Sequence, residues 1–597
     1  MLTCVIGHRG VGKSTWAKRM ASYDQKSEVH YVDLDEEIEK KISRPIFDII
    51  LSDGEAYFRE IEKQLFHEIK QGVTQPTVLI LGAGFPVQEI PEPIPVLWIR
   101  RVTDSDGRIF LDRPRLNLET SPLAEYQHRA GQREFQYAQR ADFVYWLPEG
   151  DFDRSYLAKT IEKKIFQGSH VRTVGSVTLN RTWFRSEQAW QMWKEHVMGR
   201  YRYLELRDDL LTPEQMQQAT TDMRYESFIY SFRTQPQQLC FESNVKALDW
   251  ALELGEPPKE FWSQNWVTQI LSWHGELREG IEKFGAFANH KKVHLKLAPF
   301  VSSWKDLWAG YQWQQRDPQN RTFLPISMDQ RWGWFRTFIK DQQLLNFVKE
   351  GDGSAGDQPT LSQLLQASSQ SRKFAAVLGS PVYHSWSPLA HLDFFSKKDI
   401  NFYSIKIEKS EWDDAIFILQ EMGLKYAAVT SPLKEKAQEL VGSEEPINTL
   451  VLVGDKWQGT STDDVGFAQL IEGAMALVSR QESVAVWGGG GVLLSIQKVL
   501  PKAKYFSVRQ GVERTTQVKA SDFSPEAVVW CAPLVQQGQW PPDDWKPKVI
   551  VDVNYKENSL GREYAQRCAC LYLSGSEMFF AQAQAQRVYW NSMSEEI

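Results

Sequence analysis

Residues 7–15 read GHRGVGKST, and this run lies between the apolar stretch LTCVIG and a segment that reads as a helix from Lys13 onward. Strand, glycine-rich loop and helix in that order form a cradle in which main-chain N–H groups close around phosphate oxygens. Gly7, Gly10 and Gly12 free the loop of side chains that would block the approach. The helix N-terminus adds a favourable dipole for negative charge. Lys13 is placed to reach the β- and γ-phosphates, Ser14 to hold Mg²⁺, and Thr15 to join the nucleotide contacts. The first unit of this chain is therefore expected to bind a nucleoside triphosphate.

Much more chain follows than one nucleotide fold requires. At roughly 150 residues per domain, 597 residues suggest about four folded units, and an apolar fraction of 42% lets each bury a core. The five cysteines (Cys4, Cys240, Cys531, Cys568, Cys570) are scattered and odd in number, which fits a reducing compartment and no disulfide framework. Cys568 and Cys570 stand too close together for a zinc knuckle. A net charge of −7 with no sustained Lys/Arg run argues against a nucleic-acid partner. No apolar run approaches the roughly 18–20 residues of a membrane span, and the early phosphate loop leaves no room for a signal peptide. The expectation is a cytoplasmic chain.

Two seams divide it: WLPEGDFDRS at 146–155 and the Gly/Ser/Asp/Gln-rich stretch at 349–373. In the middle segment, YLELRDDL, FIYSFRT, ILSWHG and HLKLAPF read as short strands ending in polar groups and alternating with helices. That pattern suggests a (β/α) barrel with chemistry at the strand C-termini. His294 and Lys296 share one strand face, and a lysine turned into a barrel is desolvated, which favours a free amine nucleophile. His274 supplies a proton shuttle. In the last segment, SVAVWGGGGVLLS is a strand, a glycine turn and a helix, the setting of a dinucleotide site.

Within the first segment, Asp33 and Asp35, then Gly54-Glu55, Phe58-Arg59 and Glu62, resemble shikimate kinase. The resemblance implies that Asp35, Arg59 and, in QREFQY, Arg133 bind shikimate, while Asp33 supports Mg²⁺ with Ser14. Two guanidinium groups suit a carboxylate-bearing acceptor. LGAGF stands where the family has three glycines: Gly82 and Gly84 match, and Ala83 replaces the middle one. DRPRL resembles the lid, with Arg113 over ATP.

The four strand ends of the middle segment resemble type I 3-dehydroquinate dehydratase. That implies an imine between Lys296 and the substrate ketone, with His274 as acid/base. It also implies that Glu205, Arg207, Arg233, Arg336 and Gln358 hold hydroxyls and carboxylate. Type I barrels often pair, so a homodimer is one expectation. The chain departs from the family at Gln237, where a Glu would orient the histidine, at Phe335 in place of Ser, and at SAGDQ.

SWSPLAH, AAVTSPLKEKA, PINTL and GTSTDDVGF resemble shikimate dehydrogenase in order and spacing. Ser385, Ser387, Thr430, Asn448, Asp463 and Gln582 are then implied to grip shikimate or 3-dehydroshikimate, with Lys434 and Asp463 as the acid/base pair. Gly488, Gly490 and Gly491 match the dinucleotide fingerprint. Arg509, with no acidic residue at that strand end, favours NADP(H) over NAD(H). Ala428, Ser461 and Leu493 depart from the family pattern.

The expected architecture is α/β and multidomain: a P-loop kinase domain over 1–166, a (β/α)8 barrel over 167–366, and a two-lobed shikimate dehydrogenase over 372–597. Within the last, the substrate lobe covers about 372–476 and the Rossmann lobe 477–555, with the C-terminal helices returning to the first lobe. The three resemblances share one substrate series, 3-dehydroquinate, 3-dehydroshikimate and shikimate, in the domain order of the C-terminal part of the fungal pentafunctional aromatic-biosynthesis polypeptide. They imply a trifunctional shikimate-pathway enzyme using ATP, Mg²⁺ and NADP(H). The departures motivate two alternatives: a quinate- or shikimate-sensing regulator with impaired catalysis, or a fusion with only one or two live activities. The presence of Lys13, Asp33, Asp35, Lys296, His274, Lys434 and Asp463 argues against the regulator.

Overall fold

The apolar run Leu2–Ile6 forms β1, buried along its whole length, as the middle strand of a parallel sheet covered on both faces must be. The computed structural model describes residues 2–23, 29–101, 122–147, 162, 174–234, 244–264, 266–287, 293–350, 354–367, 372–382, 385–489, 493–532, 540–554 and 559–594. The chain divides into two compact units, one of Met1–Val102 with Arg133–Gln370, and one whose larger part is Ser371–Ile597.

In the first unit, β1 lies between β3 (Thr77–Ile80) and β4 (Val96–Arg100), with β2 (His30–Asp33) and β5 (Phe143–Trp146) at the edges of an all-parallel sheet. The order β2-β3-β1-β4-β5 sets the loop after β1 at the point where the connections change direction, the usual ligand crevice of such sheets.

A second sheet in this unit contains seven parallel strands in sequence order: β6 (Ser176–Thr178), β7 (Tyr203–Arg207), β8 (Phe228–Phe232), β9 (Val245–Ala251), β10 (Thr268–Trp273), β11 (Val293–Leu297) and β12 (Arg321–Phe323). Residues 343–348 span the gap between its two edges. Ser176 N–H donates to Asn346 O at 2.5 Å and Val348 N–H to Ser176 O at 2.8 Å. Across the other edge, Leu345 N–H donates to Thr322 Oγ1 at 3.3 Å and Phe323 N–H to Gln343 Oε1 at 3.0 Å. Where eight strands are expected, the sheet has seven, and one irregular segment bridges its edges. That segment joins β6 through main chain and β12 through side chains, so it escapes the alternation that marks a strand.

In the second unit, β13 (Phe374–Gly379), β14 (Asn401–Lys406) and β15 (Leu424–Val429) run parallel, and β16 (Thr449–Val453) and β17 (Lys456–Thr460) add an antiparallel hairpin. A further parallel sheet has the order β19 (Lys504–Phe506), β18 (Val484–Gly488), β20 (Ala527–Cys531), β21 (Val549–Asp552) and β22 (Leu571–Leu573). This sheet runs past residue 555: the helix Leu560–Cys568 leads into β22, which pairs with β21. The last helix, Ser576–Ser594, returns to the other sheet of this unit, where Trp590 Nε1 donates to Leu450 O at 3.0 Å and Gln586 Nε2 to Asn448 O at 3.1 Å. Among the described residues, no helix is long and apolar enough to cross a membrane, and the four cysteines are free.

Candidate active sites

The phosphate loop takes the conformation its glycines permit. Gly10 (φ 76°) and Gly12 (φ 99°) are left-handed, and a Cβ on Gly7 would lie 2.6 Å from Ile99 O. Lys13 opens the helix Lys13–Tyr23; its Nζ is buried and donates to Gly7 O (2.8 Å) and His8 O (3.4 Å). Ser14 is half-buried and Thr15 exposed in the same first turn. Arg101, at the end of β4, donates to Val11 O at 2.9 Å. Asp33 closes β2 and caps the next helix by accepting the Asp35 N–H at 3.0 Å.

A second group of side chains gathers at the C-terminal end of β3. A Cβ at Gly82 would lie 2.6 Å from Glu62 Oε1 and 2.9 Å from Asp35 Oδ1, and one at Gly84 would overlap the Arg59 guanidinium, 2.0 Å from Nη2. A side chain at either position would displace these charged ends. Ala83 between them is half-buried, and its main-chain carbonyl accepts the Tyr137 hydroxyl at 2.6 Å. Arg59 pairs with Glu62 at 2.7 Å and Glu55 at 3.0 Å. Burial raises the Glu62 carboxyl above its ordinary value, opposed by Arg59 and by Arg133, whose charge reaches it. Asp35, Arg59, Gly82, Ala83, Gly84 and Arg133 therefore come together. Glu134 was missed by the sequence reading: it holds the His8 ring at 2.7 Å and pairs with Arg100. Arg113 lies outside the described residues.

In the barrel, inward-facing positions of successive strands build a buried charge cluster. Lys296 Nζ donates to Asp249 Oδ2 at 2.7 Å and lies 3.6 Å from Glu205 Oε1. Arg233 donates to Asp249 Oδ2 at 2.9 Å and to Ser272 Oγ at 3.1 Å. Glu205 accepts from Thr178 at 2.5 Å and Ser231 at 2.7 Å. Lys296 is buried, as the sequence suggested, and two carboxylates stand beside its Nζ, the counter-charges that a buried basic group requires. Burial alone would raise the Asp249 carboxyl, but Arg233 and Lys296 hold it well below the usual carboxylate range. The sequence reading missed Asp249. The signal was an acid at an inward position of VKALDWA, a strand between two that were recognised.

His274 follows β10 at the rim. Its main-chain N–H donates to Glu253 Oε1 at 2.5 Å, and its Nδ1 lies 3.3 Å from the same oxygen. Burial lowers the imidazole below its ordinary value; Glu253 pulls it up, and Arg233 and Lys296 push it down. Arg207 forms a two-pronged pair with Asp209 at 3.0 and 2.6 Å, and its charge reaches Glu205. Arg336 instead donates to Pro325 O (3.0 Å) and Leu324 O (3.1 Å) beyond β12, and burial brings its guanidinium down to about 10.

Two departures in the barrel have packing explanations. Phe335 packs among Tyr311, Phe323, Trp334 and Phe338. Asp357 of SAGDQ clamps the loop after β12, accepting from Ser327 N–H at 2.5 Å and Trp332 N–H at 2.7 Å. Next to it, Gln358 has a buried Oε1 with no hydrogen-bond partner. Gln237 lies outside the described residues.

In the second unit, Lys434 and Asp463 each open a helix and meet at 2.5 Å. Asn448 Nδ2 donates to the other Asp463 oxygen at 2.8 Å, while its own Oδ1 accepts the Thr462 N–H at 3.0 Å. Ser385 and Ser387 hydroxyls lie 3.1 Å apart. Thr430 packs on Gly379, where a Cβ would be 2.4 Å from its Cγ2, and Gln582 faces Gly466 one turn beyond Asp463. Gln586 was not anticipated: it links Asn448 O to buried His391, 3.0 Å away, whose imidazole burial lowers to about 3. Ala428 is buried in β15 opposite Thr449.

At the glycine turn, Gly488 (φ 109°) admits no side chain, since a Cβ would lie 2.6 Å from the Cys531 carbonyl carbon. Gly490 and Gly491 lie outside the described residues. Leu493 packs on the apolar cluster of this lobe, which explains a large residue there. Arg509 is exposed after β19. Arg514, which the sequence reading passed over, donates to Gly488 O at 3.2 Å and lies over Gly489. A tight glycine approach with one guanidinium laid against it suits a phosphate-bearing ligand.

These geometries can be set beside known proteins. The family model for shikimate kinase matches residues 9–142, and that for the shikimate dehydrogenase substrate binding domain matches residues 377–447. A shikimate dehydrogenase (NADP(+)) of Xanthomonas oryzae pv. oryzae is 33% identical over 137 residues, 21% of this chain and 48% of its own length. One from a Geobacillus species is 27% identical over 133 residues, again 21% and 48%. The chain thus spans about half the length of these curated relatives. Among solved structures, shikimate dehydrogenase from Aquifex aeolicus is 22% identical and covers 37% of this chain and 92% of its own, with a TM-score of 0.31. The dehydroquinate dehydratase and shikimate dehydrogenase portion of S. pombe AroM is 16% identical and covers 71% of this chain and 97% of its own, with a TM-score of 0.27. The chain is therefore similar to shikimate kinases at its start and to the substrate-binding domain of shikimate dehydrogenases in its last third.

Proposed function

We propose that this chain carries out three consecutive steps on one carbocyclic acid. Residues 167–366 dehydrate 3-dehydroquinate to 3-dehydroshikimate, residues 372–597 reduce that product to shikimate, and residues 1–166 phosphorylate shikimate. The observation that carries the reading is the barrel cluster of Lys296, Asp249, Glu205 and Arg233, set in one chain between segments similar to shikimate kinase and shikimate dehydrogenase.

For the dehydration, the Lys296 amine adds to the substrate ketone and expels water to form an imine. The imine draws electrons from the adjacent carbon, whose proton passes to His274. The β-hydroxyl leaves as water with a proton returned from His274, and hydrolysis of the imine releases product and restores Lys296. Arg233 and Glu205 hold the substrate's carboxylate and hydroxyls, together with Arg207, Arg336 and Gln358.

For the reduction, NADPH supplies the hydride when bound, and Gly488, Gly490, Gly491 and Arg509 would hold it. Lys434 donates a proton to the ketone oxygen as negative charge develops there. Asp463, fixed by Asn448, keeps that ammonium in place. Ser385, Ser387, Thr430 and Gln582 orient the ring. For the phosphorylation, ATP supplies the phosphoryl group when bound. Gly10, Gly12, Lys13, Ser14, Thr15 and Arg113 would hold it, with Mg²⁺ on Ser14 and Asp33. Arg59 and Arg133 pair with the shikimate carboxylate, and Asp35 accepts the hydrogen bond of a ring hydroxyl.

Borohydride reduction in the presence of 3-dehydroquinate tests the least familiar of the three steps. The folded chain is expected to gain a covalent adduct by intact mass, and Lys296→Ala to gain none. A folded wild-type chain with no adduct overturns the dehydratase reading.

A further inference from the structure

The barrel's histidine stands beside a carboxylate that the family resemblance does not supply. That resemblance expects a glutamate four residues after Arg233, and Gln237 stands there. The strand register offers a substitute. Ala251 of β9 is paired with Ser272 of β10, so two residues further along each strand end bring Glu253 beside His274. Glu253 lies in the single turn Leu252–Leu254 that directly follows β9. One oxygen, Oε1, accepts the His274 main-chain N–H and lies 3.3 Å from Nδ1. The same atom thereby ties the strand end and the ring. We infer that Glu253 is the positioning residue for His274, taking the part of the carboxylate missing at 237; this rests on the dehydratase reading of the barrel.

The chemistry follows from that contact. A carboxylate at Nδ1 keeps the proton on that nitrogen and leaves Nε2 as the lone pair that takes the substrate proton. The charges facing His274 are Glu253 and Asp249, which favour the imidazolium, and Arg233 and Lys296, which oppose it. Removing the Glu253 charge therefore leaves the two cations less opposed and lowers the pH at which His274 takes up a proton.

The test uses the full chain. Glu253→Ala should lower kcat for 3-dehydroquinate dehydration by about tenfold to a hundredfold, the range for removing a group that orients a functional histidine, with KM changed little. Glu253→Gln, which keeps the shape, should move the acid limb of the kcat–pH profile down by about one unit, and Glu253→Asp should recover part of the rate. The borohydride adduct on Lys296 should still form in all three. An unchanged kcat, or a lower kcat with an unmoved acid limb in Glu253→Gln, overturns the proposal. NMR titration of the His274 ring, assigned by its loss in His274→Gln, separates the two readings. If wild type neither dehydrates nor forms an adduct, the dehydratase reading fails. The contact itself still stands or falls on whether Glu253→Gln shifts the His274 titration downward.

Discussion

Removing the Asp249 carboxylate should unfold the barrel at a markedly lower temperature. Asp249 is fully buried and accepts from Lys296 at 2.7 Å, Arg233 at 2.9 Å and Ser231 at 3.3 Å. In Asp249→Ala, buried Lys296 and half-buried Arg233 lose their nearest carboxylate, so the cost is that of breaking a buried ion pair, about 3–5 kcal/mol. The three hydrogen bonds share one oxygen, so their separate values do not add, and we take about 4 kcal/mol. In a domain of this size each kcal/mol moves the midpoint by roughly 2–4 °C, which gives a fall of about 8–16 °C in one calorimetric transition. Asp249→Asn keeps the volume and one acceptor, and should fall by about half as much.

The same carboxylate sets an acid sensitivity. Because Arg233 and Lys296 hold it well below the usual range, its contribution is complete above the unfolded value of about 3.9 and is lost as pH falls below it. That acid slope should be reduced in Asp249→Ala. Scanning calorimetry of wild type and both variants between acid and neutral pH measures both effects. A transition that stays within a degree of wild type in Asp249→Ala would refute the charge-cluster reasoning.

Other consequences are equally direct. Gly82→Ala places a methyl 2.6 Å from Glu62 and 2.9 Å from Asp35; a displacement of about 1 Å in a reacting group costs roughly a hundredfold, so ADP release with shikimate should drop while NADPH oxidation holds. Equal phosphorylation rates would contradict the clustering. Arg509→Ala should weaken NADPH binding roughly tenfold or more, the worth of a charged hydrogen bond, and leave NADH nearly unchanged; equal losses would remove the 2′-phosphate assignment. Burial pushes the Asp552 carboxyl up to about 6, above its unfolded value, so its own contribution to stability is complete below about pH 4 and falls by about 3 kcal/mol as pH rises through 6. Asp552→Asn should flatten that decline in the pH dependence of the second unit's unfolding.

What the sequence made legible was local. The phosphate loop, the Lys434 and Asp463 segments and the glycine turn each carry strand, loop and helix within a few residues, so composition and spacing reveal them. Contacts between distant segments were harder to see. Asp249 meets Lys296 across 47 positions, and the acid in VKALDWA becomes telling only once that run is placed between two strands of the same sheet. Glu253 becomes visible only once the register of β9 on β10 is known. The eighth position of the barrel eluded pattern reading because residues 343–348 pair through Gln343 and Thr322 side chains. Leu493 looked like a defect in a family motif, yet it packs against the core of its lobe.

The most direct measurement supplies the full chain with 3-dehydroquinate, NADPH and Mg²⁺-ATP together and follows enone absorbance, NADPH and ADP. A transient enone, followed by one NADPH oxidised and one ADP released per molecule of 3-dehydroquinate, is the predicted result. Binding of all three substrates with no turnover of any would contradict it and identify a sensor in place of an enzyme.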